Sequence, residues 1–186
     1  MRDGFRNMYV DSEDELGRPP PPRPYIAADL QLQVPSGAIE ATRSLLQRAG
    51  RRESGLFWYG CRDNRGNGTV AYVVAPRQRM SWGNYHISPE ALAEVVQRLP
   101  AGWRPLAQVH SHPGVRVEHS NYDDQMASSR RALSLVFPLY GRGDTAFPSG
   151  VGVHECQNDY WHLLNAEQAS RRIVVFEAAV KSEDLR

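Results

Sequence analysis

Leu30, Leu32 and Val34 alternate with Gln31 and Gln33, a period of two that predicts a strand with one face buried. Ser36 can cap a helix next, because Ile39, Leu45, Leu46 and Ala49 follow helical spacing and Gly50 ends the run. Glu53 opens Ser54-Gly55-Leu56-Phe57-Trp58-Tyr59-Gly60, a strand by its aromatic content. The Asn, Asp and Gly of residues 62–68 predict a hairpin turn, with residues 69–75 returning as a strand. Ser88-Pro89-Glu90 supplies a cap, a proline at the first helical position and an acid, so a helix should run to about residue 99, before Pro100 and Gly102. Residues 106–110 read as a buried strand, 121 to about 132 as a helix, 133–140 as a strand and 141–150 as a loop. Residues 152–156 and 160–164 predict a late hairpin turning at Gln157-Asn158-Asp159, while 173–180 fits either a strand or a helix. Strands interleaved with helices make this an α/β domain.

The first 24 residues differ in texture. An acidic cluster (Asp11, Glu13, Asp14, Glu15) precedes Arg18-Pro19-Pro20-Pro21-Pro22-Arg23-Pro24, which favours extended polyproline II over a packed core. Residues 1–24 therefore read as a solvated tail, with a docking peptide as the sharper alternative, and 25–186 as one domain. The net charge of +1 offers no clustered basic face, so nucleic acid is not an expected partner. No apolar run reaches bilayer length and the start has no secretory pattern, so a cytoplasmic protein without a membrane partner is expected. Cys61 and Cys156 lie outside any CxxC pairing and read as two free thiols.

The chemistry concentrates in Val109-His110-Ser111-His112-Pro113 and Ser120-Asn121-Tyr122-Asp123. On a strand, residues two apart share a face, so His110 and His112 can point at one ion. Asp123, near the first turn of the following helix, can add a carboxylate. Two imidazoles and one carboxylate leave a fourth zinc position open, the composition of a catalytic site. An HxH pair alone is weak, but His-x-His-Pro, six residues, Ser, two residues, Asp would arise by chance in on the order of 10⁻⁵ of chains this long. Ser120 can equally be the helix cap, and the two roles are compatible. His119 reads as a loop histidine facing solvent in preference to one packed behind the site. His86, His154 and His162 read as structural.

This stretch resembles the JAMM motif of MPN+/JAB metalloproteases, at that family's spacing. The resemblance implies an upstream Glu before a Gly-containing strand, and Glu53-Ser54-Gly55 is similar to that element. It extends to Ile87-Ser88-Pro89-Glu90-Ala91-Leu92, to Leu135-Val136-Phe137-Pro138 and to Gly152-Val153-His154…Trp161, covering about residues 30–180. What it implies is a cytidine-deaminase-like JAB/MPN fold, a central mixed sheet flanked by helices. One Zn²⁺ would be held by His110, His112 and Asp123. Glu53 would serve as general base and then acid, and Ser120 would donate to the oxyanion.

The family acts largely on peptide or isopeptide bonds after the C-terminal tail of ubiquitin or ubiquitin-like proteins, so such a protein or its conjugates is the implied substrate. The cognate conjugating enzymes are candidate partners. Met80, Trp82 and Tyr85, in the segment where the family carries an insertion, could pack beside an extended tail; a connector that packs its aromatics into the core is an equal alternative. The second family insertion would fall at residues 141–150, here only a short loop, so linkage-specific reading of ubiquitin chains does not carry over. The single-domain form resembles enzymes of bacterial ubiquitin-like conjugation systems, some of which act in antiphage defence. A hydrolase trimming a sulfur-carrier protein would use the same residues. A non-catalytic scaffold would have lost ligands, and a RadC-like protein would favour Asn in the HxHP step; neither feature is present.

Overall fold

A computed structural model describes residues 18–143 and 145–186; the acidic cluster at Asp11–Glu15 lies outside the described residues. The first strand, β1 (Leu32–Pro35), leads directly into α1 (Ser36–Arg48). The expected Ser36 cap is corrected: Pro35 occupies the cap position, no side chain caps the helix, and the Ser36 hydroxyl donates to Glu177 Oε2 (3.0 Å). Gly50, at φ +74°, turns the chain out of the helix, the left-handed conformation glycine adopts without steric cost. β2 (Gly55–Arg62) and β3 (Gly68–Ala75) form the expected hairpin. The segment after β3 is more than a connector: β4 (Arg79–Met80) and β5 (Tyr85–His86) make a separate two-stranded sheet.

Ser88 caps α2 (Pro89–Gln97), accepting the Ala91 N–H, as its sequence predicts. β6 (Arg104–Ser111) follows, then α3 (Asn121–Met126), β7 (Leu133–Phe137), β8 (Gly152–Gln157) and β9 (Tyr160–Leu163). Two expected lengths are corrected. The helix at Asn121 spans six residues and not twelve, because Gln108 Oε1 accepts both the N–H (2.9 Å) and the hydroxyl (3.0 Å) of Ser128 and draws the backbone out of the helix. The strand at Leu133 stops at Phe137, where Pro138 ends it and a short 3₁₀ turn, Leu139–Gly141, follows. The ambiguous C-terminal run resolves as β10 (Ile173–Phe176), with β11 (Lys181–Asp184) after it. A helix unforeseen from periodicity, α4 (Ala166–Arg172), precedes β10, and its Asn165/Gln168 capping box was a readable signal.

The main sheet is mixed, in the order β10-β1-β3-β2-β6-β7-β8-β9, with β11 also paired to β3. β2 lies antiparallel between β3 and β6, while β6 and β7 run parallel. Side chains on β2 alternate between its faces. Leu56 and Trp58 join the larger core with Leu45 and Leu46 of α1, and Phe57 and Tyr59 join a second core with Val95 of α2. The expected mixed sheet flanked by helices is therefore the fold observed. No helix among the described residues is long and apolar enough to cross a membrane. Cys61 and Cys156 are free thiols.

Candidate metal centre

The pairing of β2 with β6 sets Gly55 opposite His110, so the start of β2 and the end of β6 meet at one edge of the sheet. His110 is the penultimate residue of β6 and His112 lies just past its end. The parallel neighbour β7 holds this exit in place: His112 N–H donates to Phe137 O (2.9 Å), and Tyr140 N–H donates to His112 O (2.9 Å). Making the second bond puts Leu139 (φ 53°) and Tyr140 (φ 55°) in the left-handed region, which side chains with a Cβ rarely adopt.

The chain returns through Ser120, the N-cap of α3. Its hydroxyl accepts the Asp123 N–H (3.1 Å) and donates to Asp123 Oδ2 (2.8 Å), which also accepts the Ser120 N–H (2.8 Å). This capping box fixes the carboxylate on the first turn, facing the histidines. The three predicted ligands then converge. His110 Nε2 lies 3.1 Å from His112 Nε2 and 3.2 Å from Asp123 Oδ1, and His112 Nε2 lies 3.3 Å from Asp123 Oδ2.

These side chains fit a zinc ion. Tetrahedral ligands at about 2.0 Å from zinc stand about 3.3 Å apart, the spacing found here. His112 Nδ1 lies 3.2 Å from the Arg116 carbonyl, which can only accept, so Nδ1 carries the proton and the Nε2 lone pair of the neutral ring faces its neighbours. Two imidazole nitrogens and a carboxylate crowded this way favour a cation between them. Burial works against a charge on His112, but the hydrogen bond and charge of Asp123, with Glu53, raise its pKa above the ordinary value. Burial would also raise Asp123; the adjoining His110 and His112 outweigh it and hold the carboxyl far below its usual range.

Glu53 is buried, and its N–H donates to Ser81 O (2.8 Å) in the β4–β5 hairpin. It precedes Gly55, the partner of His110 in the ladder, by two residues, and its charge acts to raise the pKa of His112, Tyr85 and Tyr140; it is not one of the three converging groups. Gln78 reinforces the same edge, its side-chain amide bonding both the N–H (2.8 Å) and the carbonyl (2.7 Å) of Gly55. Of the three residues suggested as substrate anchors, Trp82 is 69% exposed and Met80 is half-buried. Tyr85 is buried, its ring 5.6 Å from that of His110 and its hydroxyl accepting from Gln108 Nε2 (3.0 Å). It supports His110 from beneath and does not face solvent. The Tyr140 hydroxyl donates to Trp82 O (2.9 Å), tying the exposed tryptophan to the turn that holds His112.

The expectation that His119 faces solvent is corrected: it is 4% exposed and lies behind the ligands. Its Nδ1–H donates to Asp124 Oδ1 (2.8 Å), its Nε2 accepts from the Ser134 hydroxyl (2.8 Å), and its ring stacks on His154 at 3.8 Å. Burial, then the neighbouring His110, holds its pKa well below the ordinary value, so the ring is neutral. Sequence reasoning read His154 as structural, which its burial bears out, but it placed His119 in solvent and missed Gln108, Gln78 and Tyr140. Only His119 carried a local signal, its place beside the capping serine.

Fold and site together define a JAB-type domain, in which a His-x-His strand exit and the aspartate of a capped helix meet beside a buried glutamate. Residues 35–150 match the family described as prokaryotic homologs of the JAB domain, and the chain belongs to that family. It is 26% identical, over 151 residues, to a protein of Sinorhizobium fredii described as a probable metalloprotease, covering 76% of this chain and 92% of that one. The solution structure of a Desulfitobacterium hafniense protein shares the fold at a TM-score of 0.56 and 18% identity, covering 80% of this chain and 95% of the other. That of a Salinibacter ruber protein does so at 0.51 and 15%, covering 72% and 88%.

Proposed function

We propose that this protein is a zinc metallopeptidase that cleaves the peptide or isopeptide bond after the extended C-terminal tail of a ubiquitin-like protein. The observation that carries the reading is the convergence of His110, His112 and Asp123 at tetrahedral spacing, with the buried Glu53 two residues before the ladder partner of His110 and outside the set. The likeness to a probable metalloprotease supports it. Zinc bound there would polarise the scissile carbonyl and make an attacking water acidic near neutral pH.

The chain's own groups supply the proton traffic. Glu53 accepts a proton from the water as its oxygen bonds the amide carbon, then delivers it to the departing amine as the C–N bond breaks. Ser120 donates its hydroxyl to the oxygen that gains negative charge, turning it away from Asp123 Oδ2 to do so. Trp82 and Leu139 are exposed on the two segments that Tyr140 ties together, and they give an extended tail apolar contacts beside the ligands.

The test compares wild type with Glu53→Gln on a ubiquitin-like fusion at equal zinc occupancy. Glutamine keeps the shape but cannot take the proton, so turnover should fall by a factor of about 10²–10⁴ while zinc is retained. Equal rates would remove Glu53 from the chemistry. Tight binding of the fusion without cleavage by either form would favour a scaffold.

A further inference from the structure

Resting on the zinc reading above, we propose that Arg18 is a positioning residue for the metal centre, acting on Ser120 and Asp123 through Asp124 and His119. Arg18 lies outside the matched family residues 35–150 and is 106 residues from Asp124 in sequence. Its Nε nevertheless donates to Asp124 Oδ2 at 2.8 Å, and its terminal nitrogen donates to Trp161 O on β9 at 2.8 Å. The guanidinium sits over the Tyr160 ring, 4.7 Å from its centre, and the Tyr160 hydroxyl donates to Pro19 O (3.0 Å). Tyr25 and Ile26 continue the attachment: Tyr25 bonds Glu155 (2.6 Å), and the Ile26 N–H donates to Gln157 Oε1 (3.0 Å). The described residues from Arg18 to Ile26 form a strap laid over the β8–β9 hairpin, with Arg18 half-buried against it.

The strap matters because α3, at six residues, cannot hold its own position. Its first turn carries Asp123, and the residues flanking the capping box are bonded to each other, His119 Nδ1 to Asp124 Oδ1. That clasp is fastened on one side to β7 through Ser134 and on the other to β9 through Arg18. Both Asp124 oxygens are thereby taken, one by His119 and one by Arg18. The carboxylate next to Asp123 is thus held away from His110 and His112 and paired with Arg18, leaving Asp123 alone to complete the ligand set.

The test uses the full chain. Zinc affinity is measured by competition with a chromophoric chelator, and ligand geometry by the visible absorption of the Co²⁺-loaded protein. Arg18→Ala should weaken zinc about tenfold, the lower end of what partners of metal ligands contribute, and shift the Co²⁺ bands. The metal-free urea midpoint should stay near wild type. Arg18→Lys, which keeps the charge but loses the Nε bond to Asp124 and the planar group over Tyr160, should fall between them. Adding Arg18→Ala to Asp124→Asn should cost nothing further, since one acts through the other. Arg23→Ala, exposed on the same segment, should match wild type. Wild-type affinity in Arg18→Ala, additive losses in the double variant, or an equal loss in Arg23→Ala would overturn the proposal. So would a metal-free midpoint that falls in step with affinity. A wild type that binds no zinc would overturn the metal reading and this one with it.

Discussion

Gly55 stands where β2 passes over Tyr85, and replacing it with alanine tests how tightly the site is packed. A methyl group there would lie 2.6 Å from Tyr85 Cδ2 and closer still to Cε2, where ordinary contact begins at 3.4 Å. The ring cannot simply recede, because its hydroxyl is bonded to Gln108 and the ring packs against that of His110. Either the ring moves or β2 lifts from β6. Overpacking of this kind costs about 1–3 kcal/mol, and losing the Gln108 bond adds about 1 kcal/mol. Alanine gives back about 0.4–1 kcal/mol by lowering the entropy of the unfolded chain. The net loss should be about 1–3 kcal/mol, a fall in Tm of about 6 °C for a chain of this size. Because Gly55 opposes His110 in the ladder, zinc affinity should weaken as well. Urea unfolding of the metal-free protein measures the first effect. Repeating the substitution in a Tyr85→Leu background, where the ring is gone, isolates its cause. A wild-type midpoint for Gly55→Ala, or the same loss in both backgrounds, would refute the packing argument.

Other outcomes can be measured with the same protein. Purified protein should carry close to one zinc per chain, and His110→Ala, His112→Ala or Asp123→Ala should each lower occupancy; unchanged metal content by elemental analysis would move the site elsewhere. Metal-free stability should be bounded at both ends of the pH scale. Asp123, held below its ordinary 3.8, contributes fully above that pH and its contribution is lost as pH falls further; His112, held above its ordinary 6.5, contributes fully below pH 6.5 and is lost as pH rises through its folded value. Urea midpoints that climb steadily from pH 6 to 9 would contradict the His112 assignment. Trp82→Ala should raise KM for a ubiquitin-like substrate more than it lowers kcat, because that contact is made before and during reaction. An unfolded variant would instead make Trp82 a packing residue, which its exposure argues against.

Much of the site was legible without coordinates because its signals are local. His-x-His uses the two-residue period of a strand, and Ser-x-x-Asp is a helix cap whose atoms meet within one turn. The strands at residues 54–60 and 69–75, and the helix after Ser88, follow from aromatic content, turn residues and capping over a few residues. Tertiary structure decided everything that depends on a partner distant in sequence. Gln108 on β6 determines where α3 ends, by accepting from Ser128. Tyr85 became a support for His110 and not an exposed anchor, since Gly55 leaves room for its ring. His119, read locally as a solvent-facing loop residue, was enclosed between Asp124, Ser134 and His154, residues that meet only when α3, β7 and β8 are brought together. Arg18 belongs to a proline-rich stretch whose composition predicts a solvated tail, yet it binds Asp124 from 106 residues away. Propensity and capping act within a turn or a pleat, whereas the groups that hold these ligands in place are supplied by neighbouring strands, and only their pairing decides which side chains meet.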